Sequence, residues 1–168
     1  SGLSVQVTTT AVGCLNSTDG TATAIPNGGE GPYSFAWSNG QTSETATGLA
    51  SNFQDSVFTG APYSVTVTDQ NGCSVSSTNI GITSPSELVA TDSVIRNVSC
   101  FAGNDGEATI LVTGGNSAAG FSILWSNGAT TATQSGLEAF IYSVIVTDNN
   151  GCTDTITVSI TEPLAPLT

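Results

Sequence analysis

The sequence predicts an all-β protein made of two copies of one domain, and three observations support this prediction. Short motifs recur in the same order in both halves of the chain, apolar and polar residues alternate along many segments, and glycine-containing pairs separate those segments. Alternation with a period of two is typical of a half-buried strand. Pairs such as Asn-Gly and Gly-Gly supply the positive φ angles of tight hairpin turns. No segment has a convincing helical period, so we expect strands throughout.

The internal repeat is clearest at YSVTVTDQNGC (residues 63–73), which returns as YSVIVTDNNGC (142–152). CLNSTDGTAT (14–23) likewise matches CFAGNDGEAT (100–109), and WSNGQTSETATGL (37–49) matches WSNGATTATQSGL (125–137). Shared motifs in a fixed order indicate tandem copies, so we expect domains at residues 3–85 and 86–166. The first copy is nine residues longer near residues 51–60, and an insertion there predicts a surface loop.

The alternation defines individual strands. In YSVTVTD, the residues Tyr63, Val65 and Val67 point to one face, and the intervening Ser and Thr residues point to the other. YSFAWSNG around Trp37 and FSILWSNG around Trp125 follow the same pattern. Further strands are predicted at residues 3–10, 21–25, 73–82, 88–95, 107–113 and 153–160.

About seven short strands per copy are typical of an immunoglobulin-like sandwich. Trp37 and Trp125 fall on the expected third strand, where such a core often holds its large aromatic residue. Leu137 followed by Tyr142 resembles the tyrosine corner that opens the penultimate strand. We therefore predict two tandem immunoglobulin-like (PKD-like) β-sandwiches. The linker at residues 83–87 contains Pro85, and short proline-bearing linkers favour an extended rod.

Four cysteines stand at matching places in the two copies, a pattern that indicates disulfides formed in an oxidising compartment. Of the three possible connectivities, the simplest pairs Cys14 with Cys73 and Cys100 with Cys152, so that each copy has its own disulfide. Closing loops of this length stabilises a domain by roughly 4 kcal/mol. Zinc binding is disfavoured because the spacing is too wide and the chain has no His.

One geometric objection applies to this pairing. In the usual strand order, the loop holding Cys14 and the turn holding Cys73 lie at opposite ends of the sandwich. The two Cα atoms of a disulfide must come within about 7 Å. Either the first strand departs from the usual order, or the segment that holds Cys14 crosses over the end of the sandwich.

Composition restricts the partners. The chain has no Lys, His or Met, a single Arg96, thirteen Asp and Glu residues and a net charge of −12. Coulomb repulsion therefore disfavours nucleic acid and anionic membranes and leaves divalent cations, cationic partners and neutral glycans. No stretch approaches the ~18 apolar residues of a membrane helix, so we expect no membrane insertion.

Taken in order, the shared motifs resemble the SprB repeat of Bacteroidota surface proteins. In the first copy they are Cys14, Asp19-Gly20, Gly28-Gly29, Pro32-Tyr33, residues 37–40, Gly48-Leu49, residues 63–69, residues 71–73 and Pro85. The second copy matches from Cys100 through Asn150-Gly151-Cys152 to Pro163. It departs from the pattern at Ala119-Gly120-Phe121, where Pro-Tyr is expected.

The resemblance implies a large repetitive adhesin, exported by type IX secretion and, in gliding bacteria, moved along the cell surface. We therefore expect a secreted cell-surface segment that forms a stiff extended stalk for surface attachment and gliding motility. Its expected targets are a surface polysaccharide or a cell or abiotic surface. Other parts of the full protein are expected to meet the gliding and secretion machinery, and this fragment is expected to be monomeric. The alternative is a carbohydrate-binding accessory module of a secreted protein.

Catalysis is disfavoured, because the chain lacks His and Lys for general base work and no pair of carboxylates stands out. We expect no required cofactor. Calcium remains a hypothesis for the carboxylates of CxxxxDG and DxNG turns, since it takes hard oxygen ligands. The alternative is that these side chains accept backbone N–H bonds. The calcium candidates are Asp19, Asp69, Asp105 and Asp148.

Cross-linking, glycan binding and glycosylation are the remaining chemistries for which the sequence has candidate residues or lacks them. Isopeptide cross-links need a Lys, which is absent. Alternation places Tyr33 and Phe121 in the core, so only the insertion, with Phe53 and Phe58, offers exposed aromatic residues as candidates for a glycan platform. Bacteroidota O-glycosylate Asp-Ser/Thr-apolar triplets, although some such triplets are expected by chance in a chain rich in Ser and Thr. The acceptors in these triplets are Ser56, Ser93 and Thr155.

Overall fold

The computed structural model describes residues 2–54, 57–116, 118 and 120–165, and for Gln54 and Phe58 the backbone alone. It divides into two compact units, Ser1–Pro85 and Ser86–Thr168, here called repeat 1 and repeat 2. Every regular element in the described part of the chain is a β-strand. Those residues accordingly include no helix that is long and apolar enough to cross a membrane.

Repeat 1 is built from two three-stranded antiparallel sheets. Its strands are β1 (Ser4–Thr10), β2 (Gly20–Asn27), β3 (Ser34–Trp37), β4 (Thr45–Leu49), β5 (Phe53–Gln54), β6 (Val57–Phe58), β7 (Tyr63–Thr68) and β8 (Ser74–Ile80). One sheet has the order β1-β2-β4 and the other has the order β3-β7-β8. The short hairpin β5-β6 stands apart and is formed by the insertion.

Repeat 2 has the same topology without that hairpin. Its strands are β9 (Val89–Arg96), β10 (Gly106–Thr113), β11 (Ser122–Trp125), β12 (Thr133–Leu137), β13 (Phe140–Thr147) and β14 (Thr153–Ile160). The sheets have the orders β9-β10-β12 and β11-β13-β14, and every pairing is antiparallel.

In each repeat the two sheets share one core, which makes the unit a sandwich. In repeat 1, Ala22 and Leu49 of the first sheet are buried in one cluster with Trp37, Val65 and Val67 of the second. The corresponding core of repeat 2 is made of Leu88, Ala90, Val98, Ala108, Ile110, Trp125, Leu137, Tyr142, Val144, Val146, Val158 and Ile160. Burial of alternate residues supplies the main driving force for folding, and the predicted immunoglobulin-like class is confirmed.

The tryptophans occupy the predicted third strand, on β3 and β11. Trp125 is 1% exposed, and its indole Nε1 donates to the carbonyl of Thr131 at 2.9 Å. The Nε1 of Trp37 donates in the same way to the carbonyl of Ser43 at 2.8 Å. Each indole thus fills the core and also fixes the chain that leads into the next strand, because a buried N–H needs an acceptor.

Strands β4 and β12 were not predicted, although each completes a sheet by pairing with β2 or β10. Their sequences, TATGL and TQSGL, lack a clear apolar alternation. In β4 only Ala46 and Leu49 are buried. The described residues therefore form six sandwich strands in each repeat rather than about seven.

The insertion is partly buried rather than a simple surface loop. Asn52 is only 4% exposed, and its Oδ1 accepts the N–H of Ile82 at 2.7 Å. Its Nδ2 donates to the carbonyls of Ala61 and Ile80, at 3.0 and 3.3 Å. Phe53 lies against the backbone of Gly81. The insertion is thereby fastened to the end of β8, where a buried amide satisfies several backbone groups at once.

The chain enters repeat 1 at one end of the sandwich and leaves it at the other. At the entry end, Leu3 and the carboxylate of Asp69 both lie against Gly29, just after β2. At the exit end, the N–H of Val12 donates to the carbonyl of Thr83 at 2.9 Å. The eight residues of β2 separate these ends, a distance of about 25 Å at the usual rise per residue.

Repeat 2 is oriented along its chain in the same way. Leu88 and the carboxylate of Asp148 lie against Gly115 at the entry end. At the exit end, the N–H of Val98 donates to the carbonyl of Thr161 at 2.9 Å.

Candidate functional site

The entry end of each repeat carries a D-x-N-G-C turn, here called the Asp-Cys turn. In repeat 2, Oδ1 of Asp148 accepts the N–H groups of Asn150 and Cys152, both at 2.9 Å. Its Oδ2 accepts the N–H of Asn116 at 2.8 Å. A Cβ at Gly115 would lie 2.9 Å from this oxygen, so the glycine leaves room for the carboxylate. One buried side chain therefore connects the β13–β14 turn to the end of β10.

Repeat 1 has the same arrangement. Oδ1 of Asp69 accepts the N–H of Asn71 at 3.0 Å and that of Cys73 at 2.9 Å. Its Oδ2 receives a longer bond of 3.4 Å from the N–H of Glu30. The repeat of the sequence motif is thus a repeat of hydrogen bonds.

These bonds lower the pKa of Asp148 below its ordinary value of 3.8. The N–H of Asn116 contributes most, burial acts in the opposite direction, and the N–H groups of Cys152 and Asn150 add to the lowering. Backbone donors favour the charged form because they stabilise the carboxylate. The Asp-Cys turn of repeat 2 is therefore more stable when this group is ionised.

The exit end carries the CxxxxDG segment, here called the Cys loop. In repeat 1, the carboxylate of Asp19 accepts the N–H of Gly13 at 3.0 and 3.1 Å through its two oxygens. It also accepts the hydroxyl of Ser17 at 2.5 Å. In repeat 2, Asp105 accepts the N–H of Ser99 at 2.8 Å. Each carboxylate closes its own loop.

Hydrogen bonding also lowers the pKa of both loop carboxylates. For Asp19 the main cause is the Ser17 hydroxyl, followed by the N–H of Gly13. For Asp105 the main cause is the N–H of Ser99, and the charge of Arg96 adds a smaller contribution. Arg96 lies 4.0 Å from carboxylate oxygens of both Asp105 and Glu107.

Calcium at Asp19, Asp69, Asp105 and Asp148 stays a prediction. Within each repeat the two candidates lie at opposite ends of the sandwich, so they do not form one cluster. Among the residues that the structure describes, no three His, Cys, Asp or Glu side chains lie close enough to hold a metal ion together. The observed hydrogen bonds are those of the alternative interpretation, in which carboxylates order the turns.

The predicted cysteine pairing within each copy is wrong. Cys73 and Cys100 are free and exposed, whereas Cys14 and Cys152 are disulfide-bonded. The reason is that the two cysteines of each repeat lie at opposite ends of the sandwich. A Cys loop is at the exit end and an Asp-Cys turn is at the entry end, about 25 Å away across the length of a strand, whereas a disulfide needs Cα atoms within about 7 Å.

The aromatic residues are placed largely as predicted. Tyr33 and Phe121 pack against the two cores, and the hydroxyl of Tyr33 donates to the carbonyl of Gly28 at 2.8 Å. Phe53 is half-buried, and the side chain of Phe58 lies outside the described part of the structure. The insertion therefore does not present Phe53 as a free platform.

Two exposed aromatic residues in repeat 2 were not predicted. Phe101 is 53% and Phe140 is 63% exposed, although the ring of Phe140 contacts that of Tyr142 edge-on at 5.5 Å. They adjoin in sequence the lining of a recess of about 340 Å³ at the exit end. The recess is lined by Ala102, Gly103, Glu138, Ala139 and Glu162. Neither Phe stands in an alternating segment that marks it as outward-facing, so no sequence pattern predicts that the two rings are exposed.

The predicted O-glycosylation acceptors are distributed over strands. Ser93 on β9 and Thr155 on β14 are both exposed, as a modification enzyme requires. Ser56 lies outside the described residues. Glycosylation at these positions stays a prediction.

Several solved structures are similar to this chain. The three N-terminal domains of the bacteriophage RB49 Highly Immunogenic Outer Capsid protein (Hoc) match 96% of the chain with a TM-score of 0.55 and 19% identity. This chain spans 59% of that fragment. DIP-gamma IG1+IG2 has a TM-score of 0.44 and 9% identity, over 98% of this chain and 99% of that one. The amphioxus IgVJ-C2 molecule has a TM-score of 0.36 and 13% identity, over 93% and 96%.

The likeness to the capsid protein supports the fold alone, and no curated protein matches the chain. Fold and motifs together define a tandem immunoglobulin-like repeat protein. The family model described as SprB repeat matches residues 6–42 and 93–130, one match in each repeat. The two matches support an SprB-repeat protein with two repeats, and SprB repeats belong to cell-surface proteins.

Proposed function

We propose that this chain is a force-transmitting segment of a secreted cell-surface adhesin, and that its repeats form a stiff extended stalk for surface attachment and gliding motility. The observation that carries the proposal is the position of the chain ends in each repeat. Leu3 and Leu88 lie at the entry ends, and Thr83 and Thr161 lie at the exit ends. A pull on the chain is therefore directed along the strands of each sandwich.

The terminal strands suit such a load. β1 pairs with β2 over its whole length, from Ser4 opposite Asn27 to Thr10 opposite Thr21. Backbone hydrogen bonds run across the strands, so a force along β1 shears them together instead of opening them one after another. β14 is held in the same way along β13, from Thr153 opposite Thr147 to Ile160 opposite Phe140.

Surface chemistry agrees with an extracellular place. The net charge of −12 and the single Arg96 leave few cleavage sites for proteases that act after basic residues, and they keep neighbouring stalks apart by repulsion. In this proposal a type IX secretion system exports the protein. Surface polysaccharides or abiotic surfaces are its adhesion targets, and other parts of the full protein meet the gliding machinery.

Single-molecule force spectroscopy tests the proposal. The chain is held between two tethered handle domains in a thiol reductant, so that no disulfide limits its extension. Two unfolding events are expected, each releasing roughly 250 Å of chain, since about 80 residues extend by ~3.5 Å each and the folded repeat already spans about 25 Å. The control pulls repeat 1 across residues 10 and 21, where the first strand pair opens from one end, and should yield at a lower force. Equal forces in the two geometries, or a featureless extension, would contradict a force-transmitting role.

A carbohydrate-binding module is the second candidate. It is favoured by the exposed Phe101 and Phe140, which adjoin in sequence residues that line the recess. Exposed aromatic faces beside carboxylates are a common way to hold sugar rings, which bring apolar faces and hydroxyl donors together. Binding to a glycan array tests this candidate. The double variant Phe101→Ser/Phe140→Ser should abolish any binding, whereas Leu111→Ser, at an exposed position on β10, should leave it unchanged. Absence of binding by the unaltered chain rules this candidate out.

A further inference from the structure

The four cysteines belong to two kinds, one of each kind in every repeat. Cys14 and Cys100 stand in Cys loops at exit ends, and Cys73 and Cys152 stand in Asp-Cys turns at entry ends. Cys14 and Cys152 are disulfide-bonded, and Cys73 and Cys100 are free and exposed. One cysteine of each kind is therefore bonded, and one of each kind keeps a free thiol.

The free and bonded members of each kind have the same backbone surroundings. The N–H of the free Cys73 donates to Asp69 at 2.9 Å, and the N–H of the bonded Cys152 donates to Asp148 at 2.9 Å. The glycine before each cysteine has a φ of 83° in one turn and 86° in the other. Nothing in the turn itself distinguishes a cysteine that forms a disulfide from one that does not.

The two Cys loops also match each other in backbone conformation and in hydrogen bonds. Asn16 and Ala102, each two residues after the loop cysteine, have positive φ angles of 65° and 56°. In both loops an aspartate accepts the N–H of the residue that precedes the cysteine, from Gly13 in one and Ser99 in the other. What Cys73 and Cys100 lack is therefore a partner rather than a suitable conformation.

We propose that Cys73 and Cys100 are half-sites for disulfides to neighbouring copies of the repeat, and that an Asp-Cys turn always pairs with a Cys loop. The chain leaves a repeat at the end that carries the loop cysteine, and enters the next at the end that carries the turn cysteine. The partner of Cys100 is accordingly the turn cysteine of a following copy, and the partner of Cys73 is the loop cysteine of a preceding copy. These disulfides share with the proposed function only the requirement that repeats follow one another in an array, and they do not depend on adhesion.

The reaction needs a disulfide oxidant, such as oxidised glutathione or a thiol–disulfide oxidoreductase. One cysteine thiolate attacks a sulfur of the oxidant and forms a mixed disulfide, releasing one thiolate of the oxidant. The second cysteine thiolate then displaces the other oxidant thiolate. One protein S–S bond forms, two electrons reduce the oxidant to two thiols, and the two cysteine protons pass to the released thiolates.

A tandem fusion of the chain tests the proposal. Leu164 of the first copy is joined to Gly2 of the second, so that four residues lie between Thr161 and the next Leu3, as four lie between Thr83 and Leu88. Two copies contain two plus two free thiols, that is four, if nothing new forms. After refolding in a glutathione redox buffer, we expect two thiols to react with a thiol reagent under denaturing conditions. Peptide mass spectrometry should link Cys100 of the first copy to Cys73 of the second.

A single substitution gives the control. Cys100→Ser in the first copy alone should raise the thiol count of the fusion from two to three, by releasing its partner. Without the proposed disulfide the same change lowers the count from four to three. Four thiols in the unaltered fusion, or links between cysteines of the same kind, would overturn the proposal. Neither result bears on the mechanical test above, which is made in a reductant.

Discussion

The hydroxyl of Tyr63 forms hydrogen bonds with both the N–H and the carbonyl of Ala50. It accepts the N–H at 3.1 Å and donates to the carbonyl at 3.3 Å. In repeat 2, Tyr142 donates to the carbonyl of Glu138 at 3.2 Å, and Glu138 is the counterpart of Ala50. Three residues lie between Glu138 and Tyr142 in repeat 2, and twelve lie between Ala50 and Tyr63 in repeat 1. The insertion is therefore accommodated without loss of the tyrosine corner.

Tyr63→Phe should destabilise repeat 1 by about 1 kcal/mol, the usual net contribution of such hydrogen bonds. Each repeat contains one of the two tryptophans, so fluorotryptophan labelling gives one ¹⁹F signal per repeat. Urea unfolding followed by these signals should show the loss in the Trp37 signal alone, and Tyr142→Phe should affect the Trp125 signal alone. A loss shared equally by both signals would contradict independent corners.

Asn52→Ala should destabilise repeat 1 by about 2–3 kcal/mol. The substitution leaves the N–H of Ile82 without its side-chain acceptor in a buried position, and an unsatisfied buried group is costly. The same labelled chain measures the effect by urea unfolding. Ser51→Ala, one residue away, is the matched control and should change stability by less than about 0.5 kcal/mol. A small effect of Asn52→Ala would show that the insertion is held by other contacts.

Acid should destabilise repeat 2 through Asp148. Its folded pKa lies below the ordinary value of 3.8, so its contribution is complete above that pH and is lost as the pH falls through the folded pKa. We expect the unfolding free energy of repeat 2 to drop as the pH falls below 3.8, and Asp148→Asn to reduce that drop. Asp92→Asn, on the exposed surface of β9, controls for the loss of one charge. An unchanged pH profile in Asp148→Asn would refute this role.

Ala102→Gly should stabilise repeat 2 by about 0.5–1 kcal/mol. Ala102 has a φ of 56°, a left-handed conformation that costs a residue with a Cβ about 1–2 kcal/mol, partly offset by the flexibility of glycine in the unfolded chain. The matched change in repeat 1 is Asn16→Ala, which should lower stability because Asn tolerates this conformation better. Denaturant unfolding of both variants tests the pair, and effects of the opposite sign would contradict it.

Calcium can be tested directly at the four aspartates. Binding predicts that calcium chloride raises the unfolding temperature, that magnesium chloride does so less, and that a chelator reverses the change. The hydrogen bonds in the structure predict no change beyond that of ionic strength, which sodium chloride controls. Small-angle X-ray scattering in calcium and in chelator measures the maximum dimension under both conditions. Under the stalk proposal, that dimension approaches two sandwiches placed end to end.

Most of the fold was readable from the sequence because alternation, turn pairs and the internal repeat are local signals that the chain displays twice. The predicted strands around Val65, Trp37 and their counterparts are present, and their apolar faces form the two cores. β4 was missed because its position depends on pairing with β2, and its own residues are mostly Thr and Gly. Pairing partners decide such strands more than intrinsic propensity does.

The sequence alone determined the class of fold, the repeat, the acidic surface and the turn positions of the cysteines and aspartates, because each follows from residue type and spacing. Only the tertiary structure decided which cysteines are free, and which backbone groups form hydrogen bonds with the side chains of Asn52 and Tyr63. Those outcomes depend on distances between segments remote in the chain. Cys14 and Cys73 are the two cysteines of one repeat, yet the length of a strand separates them, and spacing along the sequence does not reveal that separation.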